Sequence, residues 1–215
     1  LHPIGWKAGL IRVEDIVLGA AVGLMVSMLL WPKGAAAAVR RAIDAAMDSG
    51  ARYLNGAVLR VTRGASAATD AELRELGREA VVDARTHADT IRIYLAESNG
   101  VIDADLLDTT NRIPRLRTAS DLIADIVPPP PGPYPRARTV LEEHTAALCA
   151  RLDGSDPNRS VPELSEQFVI ALRAEADGPA PAVAALPLVT AAANIGELEL
   201  MYPVERVPTA SAENR

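Results

Sequence analysis

Ile16-Val17-Leu18-Gly19-Ala20-Ala21-Val22-Gly23-Leu24-Met25-Val26-Ser27-Met28-Leu29-Leu30-Trp31 is the stretch on which the fold turns. None of its sixteen residues is charged, and Ser27 carries its one polar group outside the terminal Trp31. Extension back to Val13 gives nineteen positions, with Glu14 and Asp15 in the first turn. A bilayer core of ~30 Å needs about 20 residues and tolerates roughly 17. The stretch therefore predicts a transmembrane helix. Trp6 and Trp31 bracket it as interfacial anchors, and Pro32 ends it. Lys33, Arg40 and Arg41 come after it, whereas Lys7 and Arg12 precede it and Arg12 is offset by Glu14 and Asp15. This excess of positive charge puts the C-terminal side in the cytoplasm. The other reading of the stretch is a buried helix of a soluble bundle.

Gly19 and Gly23 form a G-x-x-x-G within the span. Two glycines four apart leave a groove where another helix backbone can approach closely. The same spacing also arises by chance in an Ala/Gly-rich helix. In either case a lone helix with a small-residue face reads as one member of a bundle, and the expected partners are the lipid bilayer and other transmembrane helices of the same protein or of a homo-oligomer.

The rest of the chain is of a different character. The 215 residues are 49% apolar and 23% charged, with a net charge of −6. The charged fraction is too high for a protein that is mostly membrane, and a mean hydropathy of +0.10 is too high for a disordered one. Aromatic residues make up only 3%, with Phe168 the single phenylalanine, so packing relies on Ala, Leu, Val and Ile. That composition favours helices over a β-sandwich or barrel. The acidic balance argues against a nucleic-acid partner. A single cysteine, Cys149, excludes an intrachain disulfide and a cysteine-rich metal site. Leu1 in place of Met leads to the expectation of a piece of a longer protein.

Helical periodicity runs from Gly34 to Met201. Val39, Ile43, Met47, Leu54, Val58 and Val61 mark a helix over 34–63, weakened locally by Gly50 and Gly56. Thr69-Asp70-Ala71-Glu72 has the form of a capping box and predicts a helix from about Asp70 to Ser98. Its stripe is Leu73, Leu76, Ala80, Ala84, Ile91 and Leu95. A further helical pattern spans Asp103 to Val127, with Pro114 expected to break or kink it. The proline-rich stretch 128–135 reads as a rigid spacer, although such stretches can also dock signalling domains. Helices are expected over Arg136–Leu152, from a second capping box at Ser160–Glu163 to Asp177, and over Ala182–Met201 with a bend at Pro187. No alternating strand pattern of any length and no internal repeat is present. The expected fold is all-α: a transmembrane helix in 1–33, a cytoplasmic helical domain of five or six antiparallel helices in 34–202, and a frayed tail over 203–215.

The residues that could carry chemistry are few. Glu79, Asp83 and His87 share a helix face, but positions i and i+8 lie ~12 Å apart, too far for one ion. They read as a solvated, salt-bridged face beside Arg78 and Arg85. Glu142-Glu143-His144 lacks the spacing of a zinc helix and shows no partner. Cys149, among alanines and Leu148, reads as a small buried hydrophobe. Phosphate loops, nucleophile elbows and dinucleotide fingerprints are absent. No catalytic, cofactor or metal role is expected for any residue. The remaining candidates are Arg12 and Asp15, three apart at the mouth of the span. They are either an interfacial anchor or a polar site at the entrance of a transport path.

Arg12-Val13-Glu14-Asp15-Ile16-Val17-Leu18-Gly19, with the close at Leu29-Leu30-Trp31-Pro32, resembles the last transmembrane helix of the fusaric acid resistance family, also grouped with aromatic acid exporters. Arg12, Asp15, Gly19, Trp31 and Pro32 fall on that family's recurrent R-x-x-D-x-x-x-G opening and Trp-Pro close. The close resemblance covers about Ile4 to Arg41, and the remainder is similar more loosely, as a long Ala/Leu/Arg-rich helical tail. The resemblance implies a bacterial inner-membrane protein with about six helices per module and a cytoplasmic helical domain. It implies efflux of small organic, often aromatic, acids coupled to the proton gradient. Two function classes are open on the sequence: the C-terminal part of such an exporter, and a membrane-anchored helical interaction module without transport activity.

Overall fold

The computed structural model describes residues 16–23, 33–97, 104–130, 132–156, 164–176 and 182–201, together with Val13 and Met25. Among these residues the helices are α1 Lys33–Arg63, α2 Ala67–Glu97, α3 Ala104–Ala124, α4 Pro135–Leu152, α5 Leu164–Ala176 and α6 Leu186–Met201. A 3-10 turn, Ala182–Ala185, leads into α6. The described residues include no strand, as an Ala- and Leu-rich composition requires. Residues 16–23 are helical as well.

The helix α1 is the hub. Val39, Leu54, Ala57, Val58 and Val61 are fully buried, and Ile43, Ala46, Met47, Ala51 and Tyr53 nearly so. These positions cover more than one stripe, so α1 is packed on several sides, against α2, α3, α4 and α6. Register gives the directions. On α2, Arg60 meets Asp70 and Arg52 meets Glu79, so the two helices run antiparallel. On α3, Gly50 faces Leu116 and Arg60 reaches Ala124, so that helix runs parallel to α1. On α4, Thr62 meets Glu142 and Ala51 meets Cys149, which is antiparallel again. The glycines within α1 have a reason beyond tolerance. A methyl group at Gly50 would stand 2.8 Å from the Leu116 side chain, and one at Gly56 would stand 2.8 Å from Leu76. Close approach of α3 and α2 offsets the helix propensity these glycines cost.

Several boundaries differ from the sequence-based expectation. The helix α2 opens three residues earlier than Asp70. Ser66 Oγ accepts from the Thr69 backbone N–H at 3.1 Å, and Thr69 Oγ1 accepts from the Ser66 N–H at 2.8 Å. This reciprocal cap displaces the Thr69–Glu72 box, because Gly64 has already ended α1 in the left-handed region at φ +96. Ser66→Ala is expected to cost about 1 kcal/mol, seen as a melting temperature lower by roughly 2–4 °C. Pro114 lies within α3 without breaking it. Pro187 does not bend a continuous helix; it sits in the first turn of α6, after the 3-10 turn, where a missing N–H is tolerated. The Ser160–Glu163 capping box lies outside the described residues.

The last helical stretch needs one distinction. Among the described residues, Ala182–Leu200 is long and apolar enough to cross a membrane. It nevertheless buries a full stripe, Leu188, Ala191, Ile195 and Leu198, against the bundle. That is how a core helix of a helical domain is built.

Candidate functional site

The N-terminal segment contrasts with the bundle. Leu18 is 65% exposed, Val22 56% and Met25 66%, and Val13, Ile16 and Val17 are also open. Exposed apolar side chains gathered in this way mark a surface that meets lipid or a partner. A methyl group at Gly19 or Gly23 would meet no atom within 4 Å, so the small-residue face carries no neighbour here. Arg12, Asp15, Trp6 and Trp31 lie outside the described residues, as does Leu29.

Within the helical domain, the buried charge gathers at one end of the bundle. Arg138 is 7% exposed. Its Nε donates to the Pro133 carbonyl at 2.7 Å, its Nη2 donates to the Pro130 carbonyl at 2.9 Å, and its Nη1 donates to the Thr62 carbonyl. Thr62 is in the last turn of α1, where carbonyls lack helical partners. Burial lowers the Arg138 pKa, and Glu142 opposes that shift. Glu142 accepts from Thr62 Oγ1 at 2.5 Å and from Arg63 Nη2 at 2.7 Å. Burial pushes the Glu142 carboxyl up, but the bonds from Arg63 and Thr62 together hold it below the usual range. Arg60 does a similar job nearby, donating to the carbonyls of Ala124, at the end of α3, and Ile126 at 3.1 and 2.9 Å. The 128–135 spacer is thus fastened through its carbonyls by a buried guanidinium.

Two sequence readings change. His87 does not lie on a solvated face; it is 4% exposed. His144 does have a partner: it is buried on α4 with Nε2 against the carboxylate of Glu199 on α6. Glu79 keeps the expected role, with a bidentate pair to Arg52 at 2.8 and 2.9 Å that holds its carboxyl below the usual range. The reading of Cys149 stands. It is buried, its Sγ donates to the Ala51 carbonyl at 3.2 Å, and burial pushes its thiol up to about 12, which suppresses the thiolate. Among the described residues, no group of three or more His, Cys, Asp or Glu could hold a metal ion.

The sequence profile of the fusaric acid resistance protein family matches residues 6–205. The chain belongs to that family. The match runs well past the Ile4–Arg41 stretch of close resemblance and takes in α1 to α6, so the helical bundle is as much a family feature as the apolar segment. Members of the family are membrane proteins with a broad function in transport and efflux, a class apart from enzymes. No match was found among curated proteins or among solved structures.

Proposed function

We propose that the chain is the C-terminal part of an inner-membrane efflux transporter for small organic, aromatic acids. In this reading Val13–Trp31 is the last transmembrane helix, and α1 to α6 form a domain on the cytoplasmic side. Trp6 and Trp31 anchor the span at the two interfaces, and Gly19 and Gly23 receive a neighbouring transmembrane helix. The observation that carries the proposal is the family match over 6–205, joined to the exposed apolar side chains of the N-terminal helix. Charge supports the orientation, since Lys33, Arg40 and Arg41 come directly after the span. The interaction-module alternative loses support at the polyproline segment, where Pro130 and Pro133 spend their carbonyls on Arg138.

The test is accumulation of a labelled weak aromatic acid in cells that carry the intact gene or lack it. Cells with the gene are expected to hold several-fold less acid and to grow at higher external concentrations. Equal accumulation and equal sensitivity in both would remove the efflux assignment.

A further inference from the structure

The helices α2 and α3 both lean on α1 but touch each other only lightly, which opens a cleft of about 660 Å³ between them. That volume suits a small organic molecule. Arg85, Arg92 and Arg117 stand around the cleft against a single carboxylate, that of Asp121. With Asp89 on Arg92 and Asp121 on Arg117, the three arginines leave an excess of one positive charge in a chain that carries −6 as a whole. Arg92 pairs with Asp89 at 2.8 Å, and Arg117 pairs with Asp121 at 3.5 Å, both in exposed positions where such pairs exchange readily. Arg85 has no ion-pair partner among the described residues. The wall is apolar, formed by the buried Ile91 and Ile113 with Pro114.

His87 lines the cleft at 4% exposure, with its Nε2 closed off from solvent, so the ring reports on the cleft without bonding a ligand.

We propose that the α2–α3 cleft binds a small organic carboxylate, with Arg85, Arg92 and Arg117 meeting the anionic end and Ile91, Ile113 and Pro114 the apolar body. Guanidinium groups suit this ligand because their planar fork matches a carboxylate and can also lie flat on an aromatic ring. The apolar wall selects an organic anion over inorganic phosphate. The cleft lies outside the membrane-spanning segment, so this binding is a separate event from passage through the membrane and goes beyond the transport reading.

The full chain in detergent is titrated with benzoate, and the histidine ring signals are followed by NMR beside calorimetry. The His87 signal is expected to move saturably while that of His144 stays in place. Arg85→Ala and Arg117→Ala are each expected to weaken benzoate about tenfold, the loss of one charge-assisted bond. Ala88→Leu, which narrows the cleft without touching a charge, is expected to weaken it as well. Benzamide and inorganic phosphate are expected to bind at least tenfold more weakly than benzoate. Melting curves check that each variant folds. Any of three results overturns the proposal: no saturable movement of His87, unchanged affinity in both arginine variants, or phosphate binding as tightly as benzoate. Benzoate binding without export from cells would keep the cleft and remove the transporter reading. Export without benzoate binding would do the reverse.

Discussion

Replacement of Arg138 by methionine is expected to lower the stability of the helical bundle by roughly 3–5 kcal/mol. Methionine fills much of the same volume, so the change removes hydrogen bonds more than packing. Three carbonyls lose their donor: Thr62 at the end of α1, and Pro130 and Pro133 in the spacer. Thr62 is buried and Pro133 half-buried, whereas Pro130 is exposed and can turn to water, and each acceptor left unsatisfied away from water costs about 1–3 kcal/mol. Part of this is recovered if water enters, which keeps the total below the simple sum. Glu142 stays paired with Arg63 and Thr62, so no buried carboxylate is stranded. For a chain of this size the melting temperature should fall by roughly 10 °C, measured by the helical circular dichroism signal in detergent. Arg63→Met is the control. Arg63 binds the same carboxylate from an exposed position, and its loss should cost about 1 kcal/mol or less. Equal losses from the two variants would contradict the role given to Arg138.

For Asp15→Asn the expected result is abolished export of a weak aromatic acid, with the protein inserted and abundant. A charge at the centre of a bilayer costs roughly 2.5–3.5 kcal/mol on insertion scales and much less at its edge. Arg12 and Asp15 are therefore expected at the non-cytoplasmic end of the span, paired with each other or facing a polar cavity. Asparagine keeps the size and polarity of the side chain but cannot take up and release a proton. If export runs on the proton gradient through this carboxylate, the amide stops it. Resistance in cells is read beside membrane abundance. Undiminished resistance at equal abundance would leave Asp15 as a helix-terminal charge and nothing more.

Local features of the fold are legible in the sequence, and distant ones are not. The α1 stripe from Val39 to Val61 is buried where periodicity places it. The start of α2 is misplaced by sequence because two overlapping caps compete, Ser66–Thr69 and Thr69–Glu72, and only the early stop at Gly64 decides between them. His87 reads as solvated because Glu79 and Asp83 share its helix face and Arg78 and Arg85 stand beside it, and these charges say nothing of the burial of its ring. His144 reads as unpaired because Glu199 belongs to the last helix. Arg138 gives no local signal at all; its partners are backbone carbonyls brought together where the end of α1 meets the spacer. The cleft arginines are visible in sequence only as ordinary surface charge. Periodicity records which face of a helix is apolar, but it does not record which helices leave a gap.

The membrane placement is tested most directly by labelling Glu143→Cys with a membrane-impermeant maleimide. Position 143 is exposed on α4, and the native Cys149 is buried with its thiolate suppressed, so the new thiol dominates the reaction. With the intact protein in spheroplasts, the predicted result is a membrane-fraction protein that stays unlabelled until the membrane is opened, and then labels fully. Labelling of closed spheroplasts would put the helical domain on the other side, and recovery of the protein in the soluble fraction would contradict the span at Val13–Trp31.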